Sequence, residues 1–402
     1  MTSAILTLNA GSSSIKFALY RFDGRLTPLA SGQVEGIGAD TQFSAKTESG
    51  QETRRAIGGA GGRATHATAL KATVDWLNQM EADCRILAVG HRVVHGGPNY
   101  ARPVRIEGDV LNVLRRLIPL APLHQPHSVA GIEAALATFP DAVQVACFDT
   151  AFHRSHPFIA DTFALPRRFY DEGVRRYGFH GLSYEYVARH LRVMAPEIAD
   201  GRVVICHLGN GASACGIRGG RSIASTMGFT ALDGLPMGTR CGQLDPGVVL
   251  YLMAEKSMSA AQISDLLYKE SGLKGLSGVS HDMRALEASS DPAARQAIDY
   301  FAERVKREIG GLAAALGGVD AIVFTAGIGE HASGLRAHIL DDLSWLGVKL
   351  DRDANRSNAE RVTTPESSIP VYVVATDEER MIAEHTLACA GLAAADAQFA
   401  LA

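Results

Sequence analysis

The chain has 402 residues, of which 47% are hydrophobic and 20% charged, with a formal net charge of -4. That length exceeds one ordinary core and predicts two domains with a cleft between them, while the near-balanced charge argues against a nucleic-acid or membrane-surface partner. Met1-Thr2-Ser3 runs straight into Ala4-Ile5-Leu6-Thr7-Leu8 without a basic leader, no apolar run approaches bilayer length, and the six cysteines (Cys84, Cys147, Cys206, Cys215, Cys241 and Cys389) lack Cys-x-x-Cys spacing. A cytoplasmic protein without membrane spans is expected, its thiols serving as small apolar filler.

In chain order, Ile5-Leu6-Thr7-Leu8, a small-residue turn and Ile15-Lys16-Phe17-Ala18-Leu19-Tyr20, closing at Asp23-Gly24, read as a β-hairpin. The polar, glycine-rich stretch from Ser44 to Thr65 reads as a surface loop. Strands follow over 86–89 and 143–148, and over 203–217 the strand–turn–strand layout returns. A shift of 200 there aligns Ile5 with Ile205, Leu8 with Leu208, Gly11 with Gly211 and Ser13 with Ser213, which predicts a duplicated architecture. A helix is predicted over 292–316 with Ala297, Ile298, Phe301, Ala302, Val305 and Ile309 on one face. A strand over 321–324 and a helix over 377–395, behind the capping residues Thr376 and Asp377, complete the alternation of an α/β chain. The first lobe is expected to cover 1–150 and to recover the C-terminal helix 381–402; the second covers 151–380.

Three glycine-rich turns each follow an apolar strand: Asn9-Ala10-Gly11-Ser12-Ser13-Ser14, Gly209-Asn210-Gly211-Ala212-Ser213 and Gly327-Ile328-Gly329-Glu330. Where no Cβ intervenes, backbone N–H groups approach an anion closely, so the repetition reads as a set of phosphate cradles. Arg92, at a strand end, and Arg240, within Gly234-Leu235-Pro236-Met237-Gly238-Thr239-Arg240-Cys241-Gly242, are each read two ways: a guanidinium clamp for carboxylate or phosphate, or a structural arginine bonding loop carbonyls. Asp149 closes the strand over 143–148, either as a functional side chain or as a helix N-cap. The pairs His91/His95 and His124/His127 are not read as metal sites: the first lies in β-branched sequence, and Pro126 is expected to prevent regular helix at the second. His180, after Arg175-Arg176-Tyr177-Gly178-Phe179, suits donation to an anion or a structural role.

Taken together, these segments, with Gly90–Gly97, Phe148–His153, Phe324–Glu330 and Thr376–Glu379, resemble the acetate kinase family of the acetate and sugar kinase, heat-shock chaperone and actin superfamily. The resemblance implies two lobes of duplicated actin-like, ribonuclease H-like fold with an interlobe cleft. It implies reversible in-line transfer between ATP and acetate, giving ADP and acetyl phosphate, with Mg²⁺ or Mn²⁺, in a homodimer. By position, Asn9 and Glu378 match the metal site, and Ser12 and Lys16 match contacts to nucleotide phosphate. His207, Leu208, Gly209, Asn210, Gly211, Asp282, Met283, Arg284, Gly327, Ile328, Gly329, Glu330 and His331 match nucleotide-binding segments. Arg92 matches the carboxylate binder, Asp149 the acid/base or positioning residue, and His180 and Arg240 the stabilisers of the transferring phosphoryl group. Val94, Leu123 and Phe179 match the wall of a methyl pocket; by apolar character alone they would pass as core, and Glu378 would pass as a first-turn acid on a helix dipole.

The chain departs from the family pattern at Ala231, where proline is common beside the acyl pocket, at Gln125 and His331 in place of asparagine, at Met283 in place of an aromatic, and at Ala224 and Gln243 in place of acids. A pocket relaxed by Ala231 but kept narrow by Val94 predicts acetate preference with some propionate turnover. The other readings are a propionate or butyrate kinase, a non-catalytic actin-like nucleotide switch and a zinc hydrolase. The switch has no need of Arg92, Asp149, His180 and Arg240, and the hydrolase depends on histidine pairs whose local sequence does not suit zinc.

Overall fold

Residues 2–11, 14–57, 64–80, 84–122 and 124–392 are described by the structure, a computed structural model. The chain divides into two compact units, Met1–Ala151 with Asp377–Ala402, and Phe152–Thr376.

In the first unit, β1 (Thr2–Ala10) and β2 (Ser14–Phe22) form the expected antiparallel hairpin, with Leu8 opposite Phe17. β3 (Leu26–Glu35), β4 (Gln42–Thr47) and β5 (Glu52–Ala56) extend it on one side; β6 (Cys84–Val93), β7 (Val104–Arg105) and β8 (Val143–Phe148) lie on the other, in the spatial order β5-β4-β3-β2-β1-β6-β8-β7. β6 and β8 run parallel to β1. The loop expected over Ser44–Thr65 instead contains the end of β4 and all of β5, and residues 58–63 lie outside the described ones. Its polarity concealed a period of two, for Phe43, Ala45 and Thr47 are buried while Gln42 and Lys46 face out. Phe43 anchors this edge, its ring 6.0 Å from that of Phe17 and 5.7 Å from that of Trp76.

Helix His66–Met80 packs on the sheet face formed by Leu6, Leu8, Phe17 and Phe43, and Glu378–Cys389 packs on the opposite face against Ile5, Ala18, Tyr20 and Ala88. The latter helix starts where Asp377 accepts a bond from the Arg380 N–H and ends at Cys389, short of the expected 395. A third helix, Gln125–Thr138, corrects the reading of Pro126, which sits in its first turn, where a missing N–H leaves no intrahelical bond unmade.

The second unit has five strands, β9 (Arg202–Leu208), β10 (Ala212–Arg218), β11 (Arg221–Ser225), β12 (Ala321–Thr325) and β13 (Val371–Val373), ordered β11-β10-β9-β12-β13. β9 pairs antiparallel with β10 and parallel with β12, as β1 does with β2 and β6, so β3-β2-β1-β6-β8 and β11-β10-β9-β12-β13 share one topology. The expected duplication is present, but the shift of 200 holds only on its first strand. Fifteen residues separate the paired Ile5 and Tyr20, whereas ten separate Ile205 and Cys215. On the second strand the equivalent of Ser213 is thus Ala18, and the matches Gly11/Gly211 and Ser13/Ser213 are coincidences of numbering; Ser13 itself lies outside the described residues.

Helix Gly181–Met194 covers one face of this sheet through Tyr184, Val187, Ala188 and Leu191. Helix Pro292–Leu316 covers the other, and every residue predicted for its apolar face is buried. The third glycine-rich turn proves to be helical, Ala326–His331, directly after β12.

Gly90 on β6 permits close approach of helix Glu378–Cys389: an added Cβ would collide with Thr386 Oγ1 and lie 2.6 Å from Ile382 Cγ2. Gly90→Ala is expected to cost about 1–3 kcal/mol through overpacking. Chemical denaturation followed by circular dichroism measures it; an unchanged midpoint would show that this helix yields freely.

Candidate active site

In the first unit the C-terminal ends of the parallel strands β1, β6 and β8 come together, the place where open α/β sheets present functional side chains. Asp149 is held there by its own backbone, whose N–H donates to Val93 O at 3.0 Å. Alternation on β6 sends His91 to one side, where its Nε2 meets Gln144 Oε1 at 2.8 Å, and Arg92 to the other. Arg92 Nε and Nη2 donate to Asp149 Oδ1 and Oδ2 at 3.0 and 2.6 Å, and Nη1 donates to Asn9 Oδ1 at 3.3 Å. Glu378, in the first turn of its helix, places Oε2 3.8 Å from Arg92 Nε. The Asp149 side chain is 2% exposed and that of Arg92 22%. Burial works against the Arg92 charge, but Asp149 and Glu378 outweigh it and hold the guanidinium pKa above its ordinary value.

The partners of Arg92 are side-chain oxygens, where the structural reading expected loop carbonyls. The side-on edge of the guanidinium is taken by Asp149, and of the five N–H donors three are used on Asp149 and Asn9, so donors on the end-on edge can serve a carboxylate. Around it the carboxylates of Asp377, Glu378 and Glu379 gather at one helix start. Burial and then Glu378 push the Glu379 carboxyl above its ordinary value, opposed by Lys16, which lies opposite Asn9 in the β1–β2 register.

In the second unit His180 immediately precedes helix Gly181–Met194 with a left-handed backbone, φ 56°, and its Nδ1 lies 2.8 Å from Ser213 Oγ. His207, on β9, lies 2.8 Å from Ser183 Oγ through Nδ1, and the two imidazoles stack with centroids 4.1 Å apart. Arg240 joins them beside Gly211: a Cβ added there would lie 3.2 Å from His180 Nε2 and 3.8 Å from Arg240 Nη2. Arg240 Nη1 also donates to Ala231 O at 2.9 Å, the loop-bracing bond that one reading of the sequence expected.

A cavity of about 520 Å³ in this unit is lined by Gly209, Asn210, His281, Asp282, Met283, Arg284, Glu287, Gly327, Ile328, His331 and Ala332. It gathers three separate segments named from the sequence and adds His281, Glu287 and Ala332, which had no signal beyond adjacency. Asp282 caps its helix through the Arg284 N–H at 2.9 Å and pairs with the Arg284 side chain. His207, Leu208, Gly211, Gly329 and Glu330 do not line the cavity. Gly329 and Glu330 instead belong to its framework, their carbonyls accepting from Arg336 Nη1 at 2.8 and 2.9 Å. Arg336 was missed from the sequence: it is fully buried, its partners are carbonyl and amide oxygens, and burial pulls its pKa down to about 10.

Among the pocket-wall residues, Val94 and Phe179 are buried and Ala231 is half-buried. Ser12 and Leu123 lie outside the described residues. Gln125 braces the His95 backbone, accepting from its N–H at 3.2 Å and donating to its carbonyl at 3.1 Å. No group of three or more His, Cys, Asp or Glu suited to a metal occurs among the described residues.

The model of the acetokinase family matches residues 4–384. The acetate kinase of Methylocella silvestris is 58% identical over 96% of this chain and 98% of its own length, and that of Rhizobium meliloti is 52% identical over 96% and 98%. Among solved structures, Porphyromonas gingivalis acetate kinase is 36% identical with a TM-score of 0.86, and a propionate kinase from Francisella tularensis is 35% identical with a TM-score of 0.90, each covering 96% of this chain and 99% of its own. The chain has the actin-like fold of these kinases.

An added Cβ at Gly327 meets nothing within 4 Å, so a side chain there takes up cavity space without disturbing the fold. Gly327→Leu is expected to weaken ATP binding at least about tenfold, a change of about 1.4 kcal/mol, with an unchanged melting temperature. Titration calorimetry reads the affinity and a thermal melt the stability; undiminished affinity would place the nucleotide elsewhere.

Proposed function

This chain belongs to the acetokinase family, and we propose that it catalyses reversible in-line phosphoryl transfer from ATP to acetate, giving acetyl phosphate and ADP. It is a kinase with a carboxyl group as acceptor. The observation that carries the residue assignments is the bidentate Arg92–Asp149 pair at the strand ends, with the other edge of the guanidinium left to donate.

Arg92 binds the acetate carboxylate through its end-on edge, and Asp149 keeps the fork oriented while balancing its charge. The family resemblance assigns the methyl group to Val94, Leu123, Phe179 and Ala231. Phosphoryl transfer asks little covalent chemistry of a protein and much electrostatic stabilisation. His180 and Arg240 supply it, donating to oxygens whose charge grows in the transition state, and Gly211 lets them approach closely. ATP takes the cavity lined by Gly209–Asn210, Asp282–Arg284, Gly327, Ile328 and His331, and the family resemblance assigns Lys16 and Ser12 to its phosphates.

The hard oxygen donors of Asn9 and Glu378 fit Mg²⁺ or Mn²⁺, which are commonly held by one or two carboxylates together with substrate phosphates. The surplus of carboxylates around Arg92 and Lys16 supports a cation there. When bound, the ion neutralises charge on the phosphate oxygens.

Helix Pro246–Ala254, Pro-Gly-Val-Val-Leu-Tyr-Leu-Met-Ala, has no buried residue, with Leu250 66% and Met253 50% exposed. An apolar helix this exposed supports the homodimer implied by the family. Six thiols without a disulfide support a reducing, cytoplasmic setting, and among the described residues no helix is long and apolar enough to cross a membrane.

The test is acyl-phosphate formation trapped as hydroxamate from ATP, Mg²⁺ and each of acetate, propionate and butyrate. Acetate is expected to exceed propionate in kcat/KM by about 10–200-fold, the worth of one methylene in an apolar pocket; a propionate or butyrate maximum would reassign the substrate. Arg92→Lys, which keeps charge but loses the fork, is expected to raise the acetate KM. His180→Ala and Arg240→Ala are expected to lower kcat by about 10²–10³. Unchanged kinetics in all three variants would refute the roles of Arg92, His180 and Arg240. Leu250→Glu is expected to yield monomers in sedimentation velocity.

A further inference from the structure

We propose that His153 is a positioning residue that fixes the Gly178–Phe179–His180 turn and thereby aims the His180 imidazole, an inference that rests on the role of His180 in stabilising the transferring phosphoryl group.

Three observations meet at one ring. His153 is fully buried at the end of the short 3₁₀ turn Ala151–His153, and its Nε2 lies 2.9 Å from Phe179 O. A carbonyl oxygen only accepts, so this nitrogen carries the hydrogen and Nδ1 is the acceptor. The donor to Nδ1 is Ser222 Oγ, at 2.7 Å. The lone pairs of that hydroxyl are met in turn by His156 Nε2 at 2.6 Å and Cys215 Sγ at 3.2 Å. The chain of donors has one consistent direction, from His156 through Ser222 and His153 to the Phe179 carbonyl, which fixes the His153 tautomer. Burial favours the neutral ring this direction requires, drawing the His153 pKa down to about 4.

The second observation is steric. Gly178 has φ +72° and lies on the His153 ring, so closely that a Cβ would fall 2.6 Å from both Cγ and Cδ2. The third is strain: two residues later His180 itself holds φ 56°, a conformation that a non-glycine residue keeps only when its surroundings enforce it. The imidazole of His153 supplies both constraints, a floor beneath Gly178 and a donor to the carbonyl between the two left-handed residues. His180 is then tied at its other end by Ser213. None of these contacts belongs to the nucleotide cavity, so a positioning role predicts loss of turnover with nucleotide affinity kept.

The experiment compares His153→Ala, His153→Gln and Ser222→Ala, each alone and combined with His180→Ala, in the full-length protein. Displacing a reacting group by about 1 Å costs up to about 10²-fold. His153→Ala is therefore expected to lower kcat about 10–100-fold with the ATP Kd unchanged, and to cost less than about twofold when His180 is already alanine. His153→Gln, whose amide N–H can reach the same carbonyl, is expected to recover part of the loss. An equal loss in both backgrounds, or no loss, would overturn the proposal. If His153→Ala fails to fold, His153→Gln and Ser222→Ala carry the same comparison. If the parent protein phosphorylates no carboxylate, the functional reading fails by itself. Positioning is then read from ¹⁵N–¹H spectra of the histidine rings: a shifted His180 signal in Ser222→Ala supports it, and an unmoved one overturns it.

Discussion

A carboxylate buried at a strand end stays ionised only where a positive partner faces it, and in the first unit Asp149 depends on Arg92 for that. The pair in turn fixes much around it. Both oxygens of Asp149 are engaged by the fork, so Arg92 has little rotational freedom, and its remaining edge has a defined direction before any substrate arrives. Preorganisation of this kind lowers the cost of binding a small anion, for which each immobilised side chain takes a large share of the available free energy. The pair is balanced within itself, however, so Glu378 adds net negative charge beside it. The cluster therefore offers a carboxylate one group and a cation another, the combination that the proposed transfer between two anions requires.

The shared topology explains how one chain supplies two kinds of site. In each unit the first strand has an antiparallel partner on one side and a parallel one on the other, so the turn after it and the ends of the parallel strands present residues in comparable places. The shorter second hairpin changes what those places hold. Ser213 falls within β10, two residues past Gly211, where it reaches His180, whereas the register-equivalent Ala18 of the first unit packs in an apolar cluster. One topology thus gives the Arg92–Asp149–Glu378 cluster in one unit and the His180–His207–Arg240 cluster with its neighbouring cavity in the other.

Much of this was legible in the sequence, for identifiable reasons. Strands buried on both faces, such as β8, β9 and β12, read as continuous apolar runs, and the long helix Pro292–Leu316 keeps a plain 3.6-residue period. The segments lining the second unit's cavity are legible because their residue types and order match a family. β4 and β5 were missed because alternation in a strand with one wet face is hidden when the buried members are as small as Ala45 and Thr47. The hairpin register was misjudged because a constant offset cannot reveal a shortened turn. Arg336, Ser183, Ser222 and His153 act through bonds to residues distant in sequence or to backbone oxygens, and neither spacing nor composition records such partners.

The stacked histidines set a limit on how the phosphoryl group is stabilised. The rings of His180 and His207 stack with centroids 4.1 Å apart, a face-to-face arrangement that like charges on both rings would oppose. Their serine partners at Nδ1 orient the rings and direct the Nε2 sides elsewhere. In the proposed reaction the histidines contribute aimed hydrogen bonds, and Arg240 contributes the permanent positive charge of this unit's cluster. That guanidinium is itself tied to the Ala231 carbonyl, a residue assigned to the acyl pocket. Because that bond ends on a backbone oxygen, a change of side chain at position 231 leaves the acceptor of Arg240 in place.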